Sequence, residues 1–345
     1  MLRKSSNSLI LSVKLVASAL LASPLLADPY SARTVSTGDY RITVERLSKT
    51  PIISYASSDT LGTKINGPSL IRAPDWIRDP LGKYYLYFAH HDGKFIRLAY
   101  ANAIQGPWSV YEPGTLRLEQ ATAFIGHIAS PDVHVDEANR RILMYFHGSR
   151  EDENQKTALA TSQDGLVFSA GDEILGSAYF RVFQHKNQYY AMDAHGFLNH
   201  SEYPDREWAR AEQELIAPIA IEDGFGRRDD LRIRHSATWV REDSLFLFFS
   251  RKSDAPERIM LSVVPLNGDW TTWRASRPIE ILRPEAPYEG IEFPMKPSKK
   301  GGGVNRQELR DPYLFHDGDR SYLIYSVAGE MGLAIAEISI EESVE

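Results

Sequence analysis

The stretch RDPYLFHDGDRSYLIYS, from Arg310 to Ser326, shows the unit from which most of the chain is built. An aspartate and a proline open an apolar strand, a polar Asp-Gly turn interrupts it, and a second strand rich in Tyr, Leu and Ile follows. Asp-Gly between two apolar runs is a strong hairpin signal. The stretch therefore predicts a β-hairpin with an acidic residue, Asp311, at the mouth of its first strand.

The same layout occurs five times along the chain, which indicates a repeat architecture. The second strands of the five units are KYYLYFA (Lys83–Ala89), RILMYFH (Arg141–His147), QYYAMDA (Gln188–Ala194), SLFLFFS (Ser244–Ser250) and SYLIYSV (Ser321–Val327). Each follows an apolar first strand and a polar turn, and each precedes a third strand. In four units a turn and an aromatic residue then indicate a fourth strand, at Gly106–Tyr111, Asp164–Ser169, Arg206–Ala211 and Asp269–Arg274.

The fifth unit has no fourth strand of its own, because the chain ends at Glu345. The segment Tyr40–Leu47 near the N-terminus is the candidate to supply it. We therefore predict an all-β fold, a five-bladed β-propeller with four-stranded blades, in which an N-terminal strand closes the ring. The alternative is a β-sandwich or two stacked β domains. No Pro/Gly-rich linker divides the chain, so we expect one domain spanning residues 28–345.

The first 27 residues are typical of a secretory signal peptide. Arg3 and Lys4 form a basic start, Leu9–Leu21 is mostly apolar, and small residues precede a cleavage site after Ala27. An uncleaved anchor is the alternative, although the apolar stretch is short for a membrane span. We expect a periplasmic or extracellular protein with no membrane attachment after cleavage. The absence of cysteine suits an oxidising compartment, since the chain is long enough to bury a core without disulfides.

Composition and motifs argue against several classes of function. The net charge of −7 and the lack of a basic patch give no reason to expect nucleic-acid binding. No phosphate-cradling glycine loop precedes a helix, so a nucleotide cofactor is not expected. No His/Asp/Glu cluster has the tight spacing of a metal site. We expect no cofactor, while a single structural calcium held by waters and carbonyl groups in the channel stays open.

In a propeller the first strand of each blade lines the central channel, and polar residues at one mouth converge on a pocket. The candidates for this pocket on the first strands are Asn66, Asp75, Asp132, Arg181, His235, Glu308, Arg310 and Asp311. The ends of the second strands add His90, His91, His147 and Glu330. Structural alternatives stand beside these roles: an aspartate that caps a turn, a salt bridge between Asp311 and an arginine, and a core histidine at position 235.

Three motifs resemble five-bladed propeller glycosidases of families 43 and 32. ASPDVHVDEANRRILMYFHG (Ala129–Gly148) resembles the blade-two signature of family 43, which implies that Asp132 orients and tunes the proton donor. RHSATWVREDSLFLFFS (Arg234–Ser250) resembles a later family 43 strand, which implies an axial His235 near a water-ligated metal ion. LRDPYLF (Leu309–Phe315) resembles the Arg-Asp-Pro motif of family 32, in which the aspartate holds sugar hydroxyls.

One position departs from this resemblance. The superfamily usually carries a catalytic aspartate just before the proline of the blade-one strand, whereas this chain has Gly67 there, beside Asn66. Glycine has no group that acts as a base or nucleophile. Either another acid serves, or the chemistry differs, or the propeller only binds.

We therefore predict a secreted, exo-acting glycoside hydrolase that removes terminal sugars from oligosaccharides. The predicted catalytic carboxyl groups belong to Asp132, Glu308 and Asp311, because glycoside hydrolysis usually needs a pair of acids across the scissile bond. The predicted substrate-binding residues are Asn66, Asp75, His90, His91, Arg181, His235 and Arg310. Arg181 would suit an anionic sugar, since arginine forks onto carboxylate and sulfate oxygens. The alternative function is a non-catalytic propeller that binds a glycan or a protein.

Overall fold

The computed structural model describes residues 28–90, 93–152, 154–222, 228–299 and 301–343. Strands dominate this part of the chain, as the five-fold repeat of aromatic and β-branched runs predicts. No helix in it is long and apolar enough to cross a membrane. The predicted signal peptide, residues 1–27, lies outside the described residues.

The strands fall into five blades, which confirms the predicted propeller. Before the first blade lie β1 (Arg33–Ser36), β2 (Tyr40–Arg46) and β3 (Ile53–Ser54). Blade one is β4 (Ile65–Arg72), β5 (Tyr84–His90), β6 (Phe95–Ala101) and β7 (Ser109–Arg117). Blade two is β8 (Ile125–Asp136), β9 (Arg141–Ser149), β10 (Gln155–Ser162) and β11 (Ser169–Ala170), and β12 (Gly176–Ser177) also pairs with β10. Blade three is β13 (Arg181–His185), β14 (Gln188–Met192), β15 (Phe197–Ser201) and β16 (Ala209–Glu214).

A separate hairpin, β17 (Ile219–Glu222) and β18 (Arg228–Leu231), precedes blade four. Blade four is β19 (Ile233–Arg241), β20 (Ser244–Arg251), β21 (Ile259–Pro265) and β22 (Ile279–Leu282). Blade five is β23 (Val304–Asp317), β24 (Arg320–Gly329) and β25 (Gly332–Glu342). Short 3₁₀ helices span Tyr55–Ser57, Leu118–Gln120, Trp270–Thr272 and Pro287–Glu289.

The fourth strand of the fifth sheet comes from the N-terminal part of the chain. Strand β2 pairs antiparallel with β25 over its whole length, from Tyr40 opposite Glu342 to Arg46 opposite Ala336, and β1 adds a further strand outside it. This is the segment that the sequence analysis singled out for that position. The fourth strand of blade four was placed wrongly at Asp269–Arg274, where the chain forms a 3₁₀ helix capped by Asp269. The strand lies later, at β22.

A cluster of buried hydrophobic side chains fills each of the five interfaces between neighbouring blades. Blades four and five share the cluster around Phe246, Phe248 and Tyr325, for example. The cluster between blades two and three, around Leu143, Tyr145, Phe180 and Val182, is the smallest of those that the described residues form. Burial of apolar area at these interfaces is the main force that holds the blades side by side.

The chain direction gives the channel two different ends. All five inner strands, β4, β8, β13, β19 and β23, enter from one face, and the segments that precede them lie there with the turns between second and third strands. We call this end the mouth. The turns between first and second strands lie at the opposite end, which we call the far end.

Candidate active site

Three inner strands have the same local backbone irregularity near the mouth. In each, a residue with positive φ precedes a proline, and the pairing register with the second strand shifts at that point, as in a β-bulge. The three dipeptides are Gly67-Pro68, Ser130-Pro131 and Asp311-Pro312, with φ of 58°, 48° and 46° at the first residue. A Cβ on Gly67 would lie 2.9 Å from Cα of Ser130, so the bulges of blades one and two are in contact. This irregularity places Gly67, Ser130 and Asp311 at equivalent positions around the channel.

Asp311 supplies the carboxyl group at this level. Its side chain is buried, the Ser326 hydroxyl donates to Oδ2 at 3.0 Å, and Nε2 of His235 lies 3.2 Å from Oδ1. Burial raises the pKa of Asp311 to about 6, with the neighbouring charge of Glu330 adding to the rise and the Arg310 guanidinium opposing it. Asp311 is therefore a carboxylic acid that still holds its proton under mildly acidic conditions, as a general acid must.

A stack of three rings lies beside this acid. The Tyr179 ring centroid is 4.2 Å from that of His147 and 5.0 Å from that of His235, which in turn contacts Asp311. Tyr179 has φ of 64°, a conformation that a bulky residue adopts only when its surroundings impose it. Burial, then the charge of Asp311, raises the pKa of the Tyr179 phenol, whose oxygen also bonds to the Ser130 side chain. The phenol consequently stays protonated and serves as a hydrogen-bonding group, not as a base.

A buried arginine gathers three more carboxyl groups next to Asp311. In Arg310, Nη2 lies 2.5 Å from Oε2 of Glu308, Nε lies 3.1 Å from Oε2 of Glu257, and Nη1 lies 3.2 Å from Oε1 of Glu330. Burial raises the pKa of Glu308, and the charge of Glu257 adds to the rise although Arg310 opposes it. Arg310 itself is 1% exposed. It holds the three acids together, and its predicted contact with a substrate stays a prediction.

Asp132 has different hydrogen-bond partners from Glu308 and Asp311, although Arg181 acts on the charge of both Asp132 and Asp311. Its Oδ2 accepts hydrogen bonds from the Val182 backbone N–H at 2.7 Å and from Nε2 of His134 at 2.9 Å. Burial opposes ionisation, but His134 and Arg181 outweigh it, and the pKa of Asp132 is lowered. The carboxylate joins the inner strands of blades two and three. It is thus an ionised group held between two blades, and its predicted role beside the proton donor stays a prediction.

Three further predicted substrate-binding residues are Asn66, His90 and Arg181. Asn66 is buried beside the blade-one bulge, and its Oδ1 has no hydrogen-bond partner among the described residues. His90 ends β5 at the mouth. Arg181 is buried at the axis, where Nε donates to the Ser236 carbonyl and Nη1 to the Pro131 carbonyl. Contact of these side chains with a substrate stays a prediction.

Asp75 is corrected by the structure, and His91 is not described. Asp75 follows the end of β4 and is exposed, so it lies at the far end of the channel and away from Asp311. The motif Ala-Pro-Asp-Trp is the turn that ends the first strand, because proline and aspartate favour turns over strand continuation. His91 lies outside the described residues.

Sequence reasoning missed Tyr179 and Glu257, and it did not recognise Ser130 as the equivalent of Asp311. Tyr179 precedes its strand and belongs to no recognisable motif, and no neighbouring residue pattern predicts its positive φ. Glu257 lies in a turn after the second strand of blade four, far along the chain from Arg310. The Ser130-Pro131 dipeptide was readable, since it repeats the Gly67-Pro68 pattern.

The metal ion that the family resemblance implies near His235 is not supported by the donor set. Nε2 of His235 faces the Asp311 carboxyl group. In the part of the chain that the structure describes, no group of three His, Asp or Glu side chains is arranged to hold a metal ion. No step below is routed through one.

Comparison with known proteins places the chain in a family. It is 37% identical over 306 residues to an uncharacterized protein of Acanthamoeba polyphaga mimivirus, covering 79% of this chain and 83% of the viral protein. The chain belongs to the family of this viral protein. No protein-family model matches the sequence.

Solved structures share the fold at low sequence identity. The GH43_1 enzyme from Xanthomonas citri complexed with xylose is 11% identical with a TM-score of 0.54, covering 87% of this chain and 93% of that one. CoXyl43, a GH43 β-xylosidase/α-arabinofuranosidase from a compost microbial metagenome, solved in complex with xylotriose, is 12% identical with a TM-score of 0.52, covering 91% and 96%. A thermostable family-43 glycoside hydrolase is 16% identical with a TM-score of 0.53, covering 82% and 91%. The chain therefore has the fold of family 43 glycoside hydrolases.

Proposed function

We propose that this protein is a secreted glycoside hydrolase whose proton donor is Asp311. The observation that carries the proposal is the buried Asp311 carboxyl group, whose pKa is raised to about 6 at the mouth of the channel with other carboxyl groups beside it. Glycosidases need one protonated and one ionised carboxyl group, and differing environments supply this difference. The shared fold with family 43 enzymes agrees with this chemistry and does not by itself establish it.

The chain's own residues suggest how the reaction proceeds. Asp311 donates its proton to the glycosidic oxygen, and the bond from that oxygen to the anomeric carbon breaks. Glu330, held by the Arg310 guanidinium at 3.2 Å and by the Gly302 N–H at 2.8 Å, takes a proton from the incoming water as the water oxygen bonds to the anomeric carbon. Tyr179, a neutral phenol in the same cluster, supplies a hydrogen bond to a sugar hydroxyl.

The exo-acting mode and the location are further parts of the proposal. Long segments precede three of the inner strands at the mouth, and their described parts are 47–64, then 215–222 and 228–232, and then 283–299 and 301–303. Such segments suit a pocket that receives a chain end better than an open groove. Secretion rests on the signal-peptide pattern of residues 1–27 alone. The partner is an oligosaccharide, with xylo-oligosaccharides as the first candidates because two of the structural neighbours are described in complex with xylose or xylotriose.

Sugar release by the purified protein tests the proposal. The panel holds neutral xylo- and arabino-oligosaccharides together with uronic and sulfated ones, and the products are identified by mass. Loss of a general acid lowers the rate by about 10²–10⁴-fold, so we expect that effect from Asp311→Asn. The matched control is Asp317→Asn, at the far end of the same strand, where the carboxylate accepts a bond from Tyr84. Equal activity of wild type and Asp311→Asn would overturn the assignment.

A second function, glycan binding without catalysis, is favoured by one specific observation. Two of the three equivalent bulge positions carry Gly67 and Ser130 in place of an acid. If no member of the panel is cleaved and calorimetry still detects binding that Asp311→Asn weakens, the binding function replaces the hydrolase.

A further inference from the structure

A cleft between blades two and three opens at the far end of the channel. It has a volume of about 520 Å³ and is lined by His134–Ala138, Leu143, Tyr145, Val182–Gln184 and Tyr189. We call it the far cleft. It lies at the interface whose inter-blade hydrophobic cluster is the smallest among the described residues, and Leu143, Tyr145 and Val182 belong to both the cluster and the cleft lining. None of these residues belongs to the cluster around Asp311.

The floor of the far cleft holds an imidazole in one orientation. Nε2 of His134 bonds to the buried Asp132 carboxylate at 2.9 Å, and that carboxylate is itself held by the Val182 N–H. Because an ionised carboxylate only accepts hydrogen bonds, His134 donates its Nε2–H to Asp132, which fixes the orientation of the ring. The His134 side chain is 35% exposed, whereas that of Asp132 is 3% exposed. Asp132 therefore orients a polar ring that a ligand can reach.

Aromatic side chains form the walls. The Tyr145 ring meets the His134 ring edge-on at 5.8 Å, and its hydroxyl is anchored on the Pro204 carbonyl at 2.9 Å. Tyr189 is half-buried, and its phenol pKa is raised by burial and then by the charge of Asp136. The phenol of Tyr189 thus stays protonated beside a carboxylate. A partly exposed ring with polar groups around it suits the apolar face and the hydroxyl groups of a sugar.

The charges in the far cleft select against anions. Its lining contains the carboxylates of Asp136 and Glu137, with that of Asp132 beneath, and no lysine or arginine. The Arg141 guanidinium outside the lining is bound to Asp136 at 2.8 Å, which offsets its charge. Arg141 lines a separate cavity of about 460 Å³.

We infer that the far cleft is a second carbohydrate-binding site, which takes a neutral oligosaccharide with one ring against Tyr189 and a hydroxyl group hydrogen-bonded to His134. This site does not depend on the hydrolase activity proposed for the mouth. It also assigns Asp132 a role, as the positioning residue for His134. A site remote from the acids would hold the protein on a polysaccharide while a chain end is processed at the mouth.

Calorimetric titration with xylotriose and cellotriose tests the inference. The titrated protein is the full mature chain with Asp311→Asn, which prevents cleavage and leaves the far cleft intact. Adding Tyr189→Ala should weaken one binding event by about tenfold or more, since it removes the aromatic wall. The matched control Tyr189→Phe keeps the ring and should weaken the same event by only about threefold. His134→Ala is the second variant, and we expect it to weaken the same binding event by between about threefold and about tenfold.

The outcomes separate this site from the site at the mouth. A binding event that Tyr189→Ala and His134→Ala remove, in a protein that still unfolds cooperatively, supports the far cleft whether or not the wild type cleaves any sugar. The inference is overturned if binding survives both substitutions. It is also overturned if neither trisaccharide binds. Cleavage by the wild type, measured separately, tests the mouth alone.

Discussion

Asp132 and Asp311 both lie beside prolines of inner strands, and their pKa values are shifted in opposite directions from the ordinary value. Both are almost fully buried, at 2% and 1% exposure. The pKa of Asp132 is lowered, whereas that of Asp311 is raised to about 6. Burial favours the protonated form in both, so burial does not explain the difference.

The groups that surround each carboxyl group explain why the two pKa values shift in opposite directions. Asp132 accepts two N–H hydrogen bonds, from the Val182 backbone and from His134, and Arg181 lies 3.9 Å away. Asp311 accepts a bond from the Ser326 hydroxyl and has Nε2 of His235 at 3.2 Å, but the nearby charge of Glu330 adds to the effect of burial. One carboxyl group is therefore held ionised and the other keeps its proton to a higher pH, although the sequence analysis placed both in one catalytic group.

The largest effect should come from removing the Asp132 charge. Asp132→Asn leaves His134 and Arg181 without their buried anion, which should lower the free energy of unfolding by about 3 kcal/mol at pH 7. Urea denaturation of the variant and the wild type measures this. The control is Asp136→Asn, which affects a half-buried pair with Arg141 and should cost at most about 1 kcal/mol. Equal losses for the two variants would remove the structural role given to Asp132.

Asp311 should destabilise the protein as pH rises. Its folded pKa of about 6 exceeds the unfolded value, so between pH 4 and 6 the folded state holds a proton that the unfolded state has lost. The free energy of unfolding should therefore fall by up to about 3 kcal/mol between pH 4 and pH 7 through this group. Denaturation of Asp311→Asn over the same range should lack this fall. In the wild type, kcat/KM should decline above about pH 6 for the same reason.

Asp132 should have the opposite dependence, with stability lost as pH falls below its unfolded pKa of about 3.9. If Asp311→Asn and the wild type show the same pH dependence of unfolding, the contrast between the two aspartates is wrong.

Introducing an acid at Gly67, in the blade-one bulge, should destabilise the protein. Gly67 has φ of 58° and a Cβ there would lie 2.9 Å from Cα of Ser130, so Gly67→Asp should lower the free energy of unfolding by about 2–3 kcal/mol. Gly38→Asp is the matched control, because Gly38 has φ of 68° with nothing within 4 Å of a Cβ, and it should cost about 1 kcal/mol. Thermal unfolding compares them. A stable Gly67→Asp with higher activity would show that the position still accepts a catalytic acid.

The smallest effect should come from the Tyr179 phenol. Tyr179→Phe keeps the ring between His147 and His235 and loses the phenol bonds to Ser130 and to the proposed sugar hydroxyl, so we expect about 1 kcal/mol in stability and about 1 kcal/mol in kcat/KM. Tyr179→Ala removes the stack as well, and should move the pH at which kcat/KM declines because His235 is no longer held against Asp311. Unchanged pH profiles for both variants would mean that the ring stack has no influence on the acid.

Particular segments show what was predictable. The second strand of blade four, expected at Ser244–Ser250, is found at Ser244–Arg251, because its aromatic and leucine run and the polar turn before it are local signals. The fourth strand of the same blade was misplaced, since the aromatic residues of Asp269–Arg274 fit a capped 3₁₀ turn as well as a strand. The placement of Asp311 at the mouth followed from the repeat. The ring stack at Tyr179 did not, because it joins residues from three blades.

The sequence by itself determined the strand repeat, the five blades and the end of the channel at which Asp311 lies, because strand alternation and turn chemistry are encoded by neighbouring residues. Only the tertiary structure decided which buried aspartate holds a proton, that Arg310 clamps three acids, and that His134 reaches a cleft. These depend on burial and on charges from other blades. Electrostatic energies fall with distance in three dimensions, and separation along the chain does not measure that distance.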